Sequence, residues 1–146
     1  MRVLGIDYGD RHLGLAVSDP MGIIAHPLGT YILKDRKAEN AAYFQELIRT
    51  KEIELIVLGL PLRMDGTSGT RVEKTRTFAR WLEAMVGRKV VFWDERLTTQ
   101  QATDIMHEQK VKLEDRRSVV NQISAVIILQ AFLDGHANDA PVSDPS

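Results

Sequence analysis

The apolar positions of this chain change period twice, and those changes divide it into elements. Val3-Leu4-Gly5-Ile6 reads as a buried strand that stops at Asp7-Tyr8-Gly9. Leu13 to Val17 repeats the pattern and stops at Ser18-Asp19-Pro20. Met21-Gly22 marks a turn, and Ile23 to Leu33, interrupted near Pro27 and Gly29, reads as a third strand. Three strands this closely spaced predict an antiparallel meander.

Ala41, Phe44, Leu47 and Ile48 then recur at helical spacing. Leu55-Ile56-Val57-Leu58 is a continuous apolar run ended by Gly59-Leu60-Pro61, as expected of a central parallel strand buried on both faces. Residues 62–69 form a glycine-rich polar connector, and Thr70-Arg71-Val72-Glu73 has the spacing of a capping box. Val72, Thr75, Ala79, Leu82 and Val86 share one face of the helix that follows. Lys89 to Trp93 is the fifth strand, with Asp94-Glu95-Arg96 at its end. Thr98 and Gln101 suit the start of a short helix carrying Ala102, Ile105 and Met106, and 108–117 reads as a polar loop. Val119 to Leu133 is apolar almost all round, which predicts a deeply packed helix.

The order β-β-β-α-β-α-β-α-α predicts an α/β domain over residues 1–134. Its mixed five-stranded sheet would be a three-strand antiparallel meander followed by αβαβ and flanked by helices; the RNase H-like fold is one well-known arrangement of this kind. Residues 135–146 read as a disordered C-terminal tail.

Composition narrows the function classes. The 146 residues contain no cysteine, which excludes disulfides and thiolate chemistry. No apolar run is long enough to span a bilayer, and the N-terminus lacks signal-peptide architecture, so the expectation is a cytoplasmic protein with no membrane partner. Lys and Arg number 19 against 20 Asp and Glu. A nucleic-acid enzyme with this balance must gather its basic side chains locally.

Asp7 ends the first strand, and Asp94 and Glu95 end the fifth. If the first and fourth strands are neighbours, the fifth lies two strands from the first, roughly 10 Å away. Carboxylates gathered at one sheet edge suit Mg²⁺ or Mn²⁺, which prefer oxygen ligands. Taken singly, each has an ordinary alternative: a turn residue at Asp7, an ion pair with Arg96 at Asp94 and Glu95. Asp19 should fall at the opposite edge and serve its turn. Asn121 is the polar residue of the apolar last helix, on one face with Ser118 and Ala125; it either faces the catalytic edge or bonds backbone at the helix entry.

Basic residues cluster at Lys34/Arg36/Lys37, at Arg71/Lys74/Arg76/Arg80 and at Lys110/Lys112/Arg116/Arg117. The last two clusters flank the proposed edge in sequence and are candidates for phosphate contact, as are Arg11 and His12. Trp81 and Trp93 read as core or sheet-packing aromatics.

Five segments in order complete the picture: Leu4-Gly5-Ile6-Asp7-Tyr8-Gly9, Gly14-Leu15-Ala16-Val17-Ser18-Asp19, Gly59-Leu60-Pro61-Leu62 with Met64-Asp65-Gly66-Thr67, Asp94-Glu95-Arg96-Leu97-Thr98-Thr99, and Ser124-Ala125-Val126-Ile127-Ile128-Leu129-Gln130. Together they resemble the YqgF family, also called RuvX, over residues 1–134. The resemblance implies a RuvC-like, RNase H-like fold. It also implies a nuclease that processes the 5′ end of pre-16S ribosomal RNA in ribosome biogenesis. By motif position it makes Asp7 and Glu95 catalytic metal ligands, with Asp94 as an additional candidate. Asn121 occupies the position where the family usually has an aspartate, so it is expected to be a neutral ligand that lowers the charge of the site. Arg11, His12, Arg63, Arg71, Lys74, Arg96, Arg116 and Arg117 are the expected nucleic-acid contacts. Two alternatives stay open: a resolvase acting on four-way DNA junctions, and an RNA-binding assembly factor with weakened catalysis. A monomer or weak homodimer is expected.

Overall fold

The computed structural model describes residues 1–60, 69–94 and 116–136, with the backbone alone at 116–119 and 136. The described elements are β1 (Arg2–Tyr8), β2 (His12–Ser18), β3 (Ala25–Ile32), α1 (Lys37–Thr50), β4 (Ile53–Leu60), α2 (Thr70–Val86), β5 (Lys89–Asp94) and α3 (Arg116–His136). The five strands form one sheet in the order β3-β2-β1-β4-β5. β1, β2 and β3 pair antiparallel, whereas β1 with β4 and β4 with β5 pair parallel. The meander and the central position of β1 and β4 match the sequence expectation.

Helices cover both faces. Leu4, Ile6, Leu13, Leu15, Ile56 and Leu58 pack toward α1 and α2, where Phe44, Leu47, Val72, Phe78 and Leu82 complete the larger core. Val3, Ala16 and Val57 point the other way, against Ala125, Ile128, Leu129 and Phe132 of α3. Strand alternation makes this division, since successive residues face opposite sides of the sheet.

α3 lies close on the sheet because two strand glycines admit it. A Cβ on Gly5 would come within 2.7 Å of Leu129 Cβ, and one on Gly14 within 1.8 Å of the Asn121 carbonyl oxygen. Helix backbone therefore rests directly on β1 and β2, which only glycine permits.

Five expectations are corrected. Gly69 is the N-cap residue of α2 and Thr70 is already helical, so the expected capping box does not form; Glu73 instead accepts from Arg76 at 2.7 Å. β3 begins at Ala25 rather than Ile23 because Asp19 accepts the N–H groups of Met21, Ile23 and Ile24, holding them in the turn. α3 begins at Arg116 and reaches His136, so Arg116 and Arg117 belong to a helix rather than the polar loop. Gly135, expected in the tail, packs against Trp93. Nor is α3 deeply packed all round: Ser124, Ala125, Ile128, Leu129 and Phe132 are buried, while Ile123, Val126 and Ile127 are half-exposed. Among the described residues, only its sheet-facing side finds apolar partners.

The short helix expected near Thr98–Met106, the connector at 62–68, residues 108–115 and residues 137–146 lie outside the described residues.

Candidate active site

β1, β4 and β5 run parallel, so their carboxyl ends share one edge of the sheet. Ile6, Leu58 and Phe92 align across that edge. Asp7 stands one residue beyond this rung on the central strand. Val3 and Gly5 face α3, and alternation puts Asp7 on the same side. The residue paired with Asp7 on β2 is Gly14, whose Cα is covered by the backbone of Asn121. The first helical turns of α3 thus close over Asp7, and the carboxylate is only 9% exposed.

This burial has a chemical consequence. It pushes the Asp7 carboxyl up from its ordinary 3.8 to about 6, opposed by the positive charge of Arg71. Among the described residues no hydrogen-bond donor reaches the carboxylate. A buried carboxylate without a donor is poorly solvated when ionised, and a nearby cation relieves that state.

The turn after β1 is tied down from three directions. Gly9 N–H donates to His12 O at 3.1 Å, and a Cβ on Gly9 would come within 2.4 Å of that oxygen. Asn121 Nδ2 donates to the same His12 O at 3.2 Å. Arg71, in the first turn of α2, donates to Asp10 Oδ1 at 2.8 Å and to Tyr8 O at 3.2 Å. Asn121 therefore does what its backbone-bonding alternative described, and it does so at the edge of the sheet that carries Asp7. With Nδ2 committed to His12, its remaining polar atom is an acceptor oxygen.

The structure brings together Asp7, Asn121, Arg71 and the His12 backbone. Arg11 stands on the same turn, exposed and 3.5 Å from Asp35. Lys74 follows Arg71 by one turn of α2. Asp94 ends β5 on the face of Val90 and Phe92, which pack toward α1 and α2, so alternation directs it away from the Asp7 side. Glu95, Arg63 and Arg96 lie outside the described residues, as do the side chains of Arg116 and Arg117. Among the described residues no three Asp, Glu, His or Cys converge on one point.

Two features escaped the sequence reading. The Arg71–Asp10 clamp joins residues 61 apart and has no local pattern. The close approach of α3 does have one, since a glycine inside an apolar strand flags backbone contact.

A divalent cation fits the residues present. The carboxylate of Asp7 and the amide oxygen of Asn121 are hard oxygen donors of the kind Mg²⁺ and Mn²⁺ take, and positive charge would bring the Asp7 carboxyl back down.

Comparison with known proteins bears on the same reading. The sequence profile of the RuvX family, described as Holliday junction resolvase, matches residues 1–135. A relative from Syntrophus aciditrophicus is 42% identical over 99% of this chain and 95% of its own length, and one from Koribacter versatilis is 43% identical over 94% and 90%. A third, from Listeria monocytogenes, is 41% identical over 92% and 98%. All three carry the name "Putative pre-16S rRNA nuclease". Among solved structures, Thermus thermophilus RuvC matches with a TM-score of 0.57 and 16% identity over 97% of this chain and all of that one. RuvC from T. thermophilus in complex with a Holliday junction substrate matches with a TM-score of 0.56 and 19% identity, over 94% and 97%. At such identities the likeness establishes the fold, that of RuvC and the RNase H-like proteins. The profile spans nearly the whole chain and the relatives match over nearly their whole length; the chain belongs to the RuvX family.

Proposed function

We propose that this protein is a metal-dependent endonuclease that hydrolyses a phosphodiester in the 5′ region of pre-16S ribosomal RNA. The observation that carries the reading is Asp7, a carboxylate buried at the carboxyl edge of the central strand with no donor among the described residues and with its pKa raised by that burial. Asp7 anchors Mg²⁺ or Mn²⁺, Glu95 is the second ligand or orients the attacking water, and the Asn121 oxygen is a weak neutral ligand. The bound metal supplies activation of water and charge stabilisation at the leaving oxygen. Arg71 fixes the turn that carries Asp7 and offers its remaining positive charge to the substrate backbone. Arg11, His12, Lys74, Arg63, Arg96, Arg116 and Arg117 contribute further phosphate contacts, which supply most of the nonspecific affinity. The names of the relatives support the RNA substrate, and no described helix is long and apolar enough to cross a membrane. Such an enzyme works in the cytoplasm.

A second substrate is favoured by the family description and by the RuvC complex: a four-way DNA junction. Symmetric cleavage of a junction needs two active sites, hence a dimer. The test is cleavage of precursor rRNA and of a four-way junction side by side, with Mn²⁺ and with EDTA, alongside the solution mass. Metal-dependent cleavage of the RNA by a monomer is the expected result. Preferential cleavage of the junction by a dimer would move the substrate to DNA, and salt-dependent RNA binding without turnover would make the protein an assembly factor.

A further inference from the structure

Tyr8 follows Asp7 and therefore faces the opposite side of the sheet, where it opens into a cavity of about 600 Å³ between α1 and α2. Small-ligand sites commonly enclose ~300–1,000 Å³. The floor is aromatic: the rings of Tyr8 and Phe78 lie 4.6 Å apart, and those of Phe78 and Trp81 5.8 Å. Phe78 is buried, while Tyr8 and Trp81 keep half-exposed faces. The rim carries Lys34, Lys37 and Lys74. Its carboxylates are already engaged, Asp10 by Arg71, Asp35 by Arg11 and Glu73 by Arg76. The three lysines have no carboxylate partner among the described residues.

We propose that this cavity receives an unpaired nucleotide of the strand being cleaved, its base on Tyr8 and Trp81 and its flanking phosphates on Lys34, Lys37 and Lys74. An aromatic floor beneath point cations with no carboxylate partner among the described residues matches a flat base attached to negative charge. The base must be unpaired, because in a duplex its faces are covered by neighbouring bases. The inference rests on the nuclease reading of Asp7, since adjacency of Tyr8 and Asp7 on β1 puts the two binding events on one strand. Substrates would then need a single-stranded segment beside the cut.

Binding is read in EDTA, where no cleavage occurs, by Trp81 fluorescence in the full chain carrying Trp93→Phe, and by anisotropy of labelled oligouridylate with the wild type. Single-stranded oligouridylate should quench Trp81 saturably. In the anisotropy assay Lys34→Gln with Lys74→Gln should weaken binding about 25-fold at 0.1 M salt and lower the log–log salt slope by about 1.4, the loss of two single-strand phosphate contacts. Trp81→Leu should weaken it about tenfold. Wild-type affinity in the double lysine variant overturns the proposal. So does equal quenching by a blunt duplex, or by uridine monophosphate at the same concentration. An enzyme that binds in this way but cleaves nothing refutes the nuclease reading alone; an active enzyme whose binding ignores the lysines refutes the cavity alone.

Discussion

Replacing Asp7 with asparagine should stabilise the metal-free protein at neutral pH. The folded state holds this carboxyl at about 6, against 3.8 without burial. Between those values the folded chain binds more protons than the unfolded chain, so stability falls as pH rises through the window. Below 3.8 both states are protonated and Asp7 costs nothing. Above about 6 both are ionised and the whole cost is present. A difference of about two pKa units corresponds to about 3 kcal/mol, and the 9% exposure of the residue leaves little solvent to screen it. Asp7→Asn removes the charge while keeping the shape. In EDTA at pH 8 the variant should therefore unfold about 3 kcal/mol harder in urea, or roughly 6–12 °C higher for a chain of this size. At pH 4 the two proteins should converge. Mn²⁺ should narrow the gap at pH 8 by stabilising the wild type alone. Parallel curves for wild type and variant across pH 4–8 would refute the claim that burial strains this carboxylate.

Three further outcomes follow from the same geometry. Gly14→Ala drives a Cβ to 1.8 Å from the Asn121 carbonyl oxygen; α3 must lift, costing about 3 kcal/mol in urea unfolding, and a midpoint equal to wild type would mean that α3 does not rest on β2. Arg71→Gln removes the cation that opposes the burial of Asp7, so the Asp7 carboxyl, followed by NMR in EDTA, should titrate above 6; an unchanged or lower value would contradict the assignment. Asn121→Asp gives up the bond to His12 O, worth about 1 kcal/mol, and adds a second charge near Asp7. The metal-free variant should be less stable than wild type yet gain more from Mn²⁺, and an equal Mn²⁺ gain would place residue 121 away from the metal.

Much of this architecture is legible in local sequence. β1 and β4 announce themselves as short apolar runs, and Asp7 as the polar residue that ends the first. The uninterrupted run of β4 points to a strand covered on both faces, which is typical of a central parallel strand; its pairing with β1 is settled by the structure. Legibility fails where a contact is distant or a local pattern has two solutions. Thr70 and Glu73 have capping-box spacing, yet the helix starts at Thr70, and Glu73 finds Arg76 on its own helix instead. Asp19 shortens β3 by capturing N–H groups that apolar pattern alone assigns to a strand. The site itself is assembled by long-range choices: Asn121 reaches His12, Arg71 reaches Asp10, and Lys34 and Trp81 line one cavity between α1 and α2. No periodicity encodes those meetings. Gly5 and Gly14 were the available clue, because a strand interior gives up side-chain packing at glycine only where something must come close.

The central claim is that Asp7 anchors the metal that makes this protein a nuclease. Its most direct test is single-turnover cleavage of precursor 16S rRNA in Mn²⁺ by wild type and by folded Asp7→Asn at equal concentration. Metal-dependent cleavage by the wild type, lost in a variant that is more stable and still binds RNA, is the predicted result. Undiminished cleavage by Asp7→Asn would contradict it.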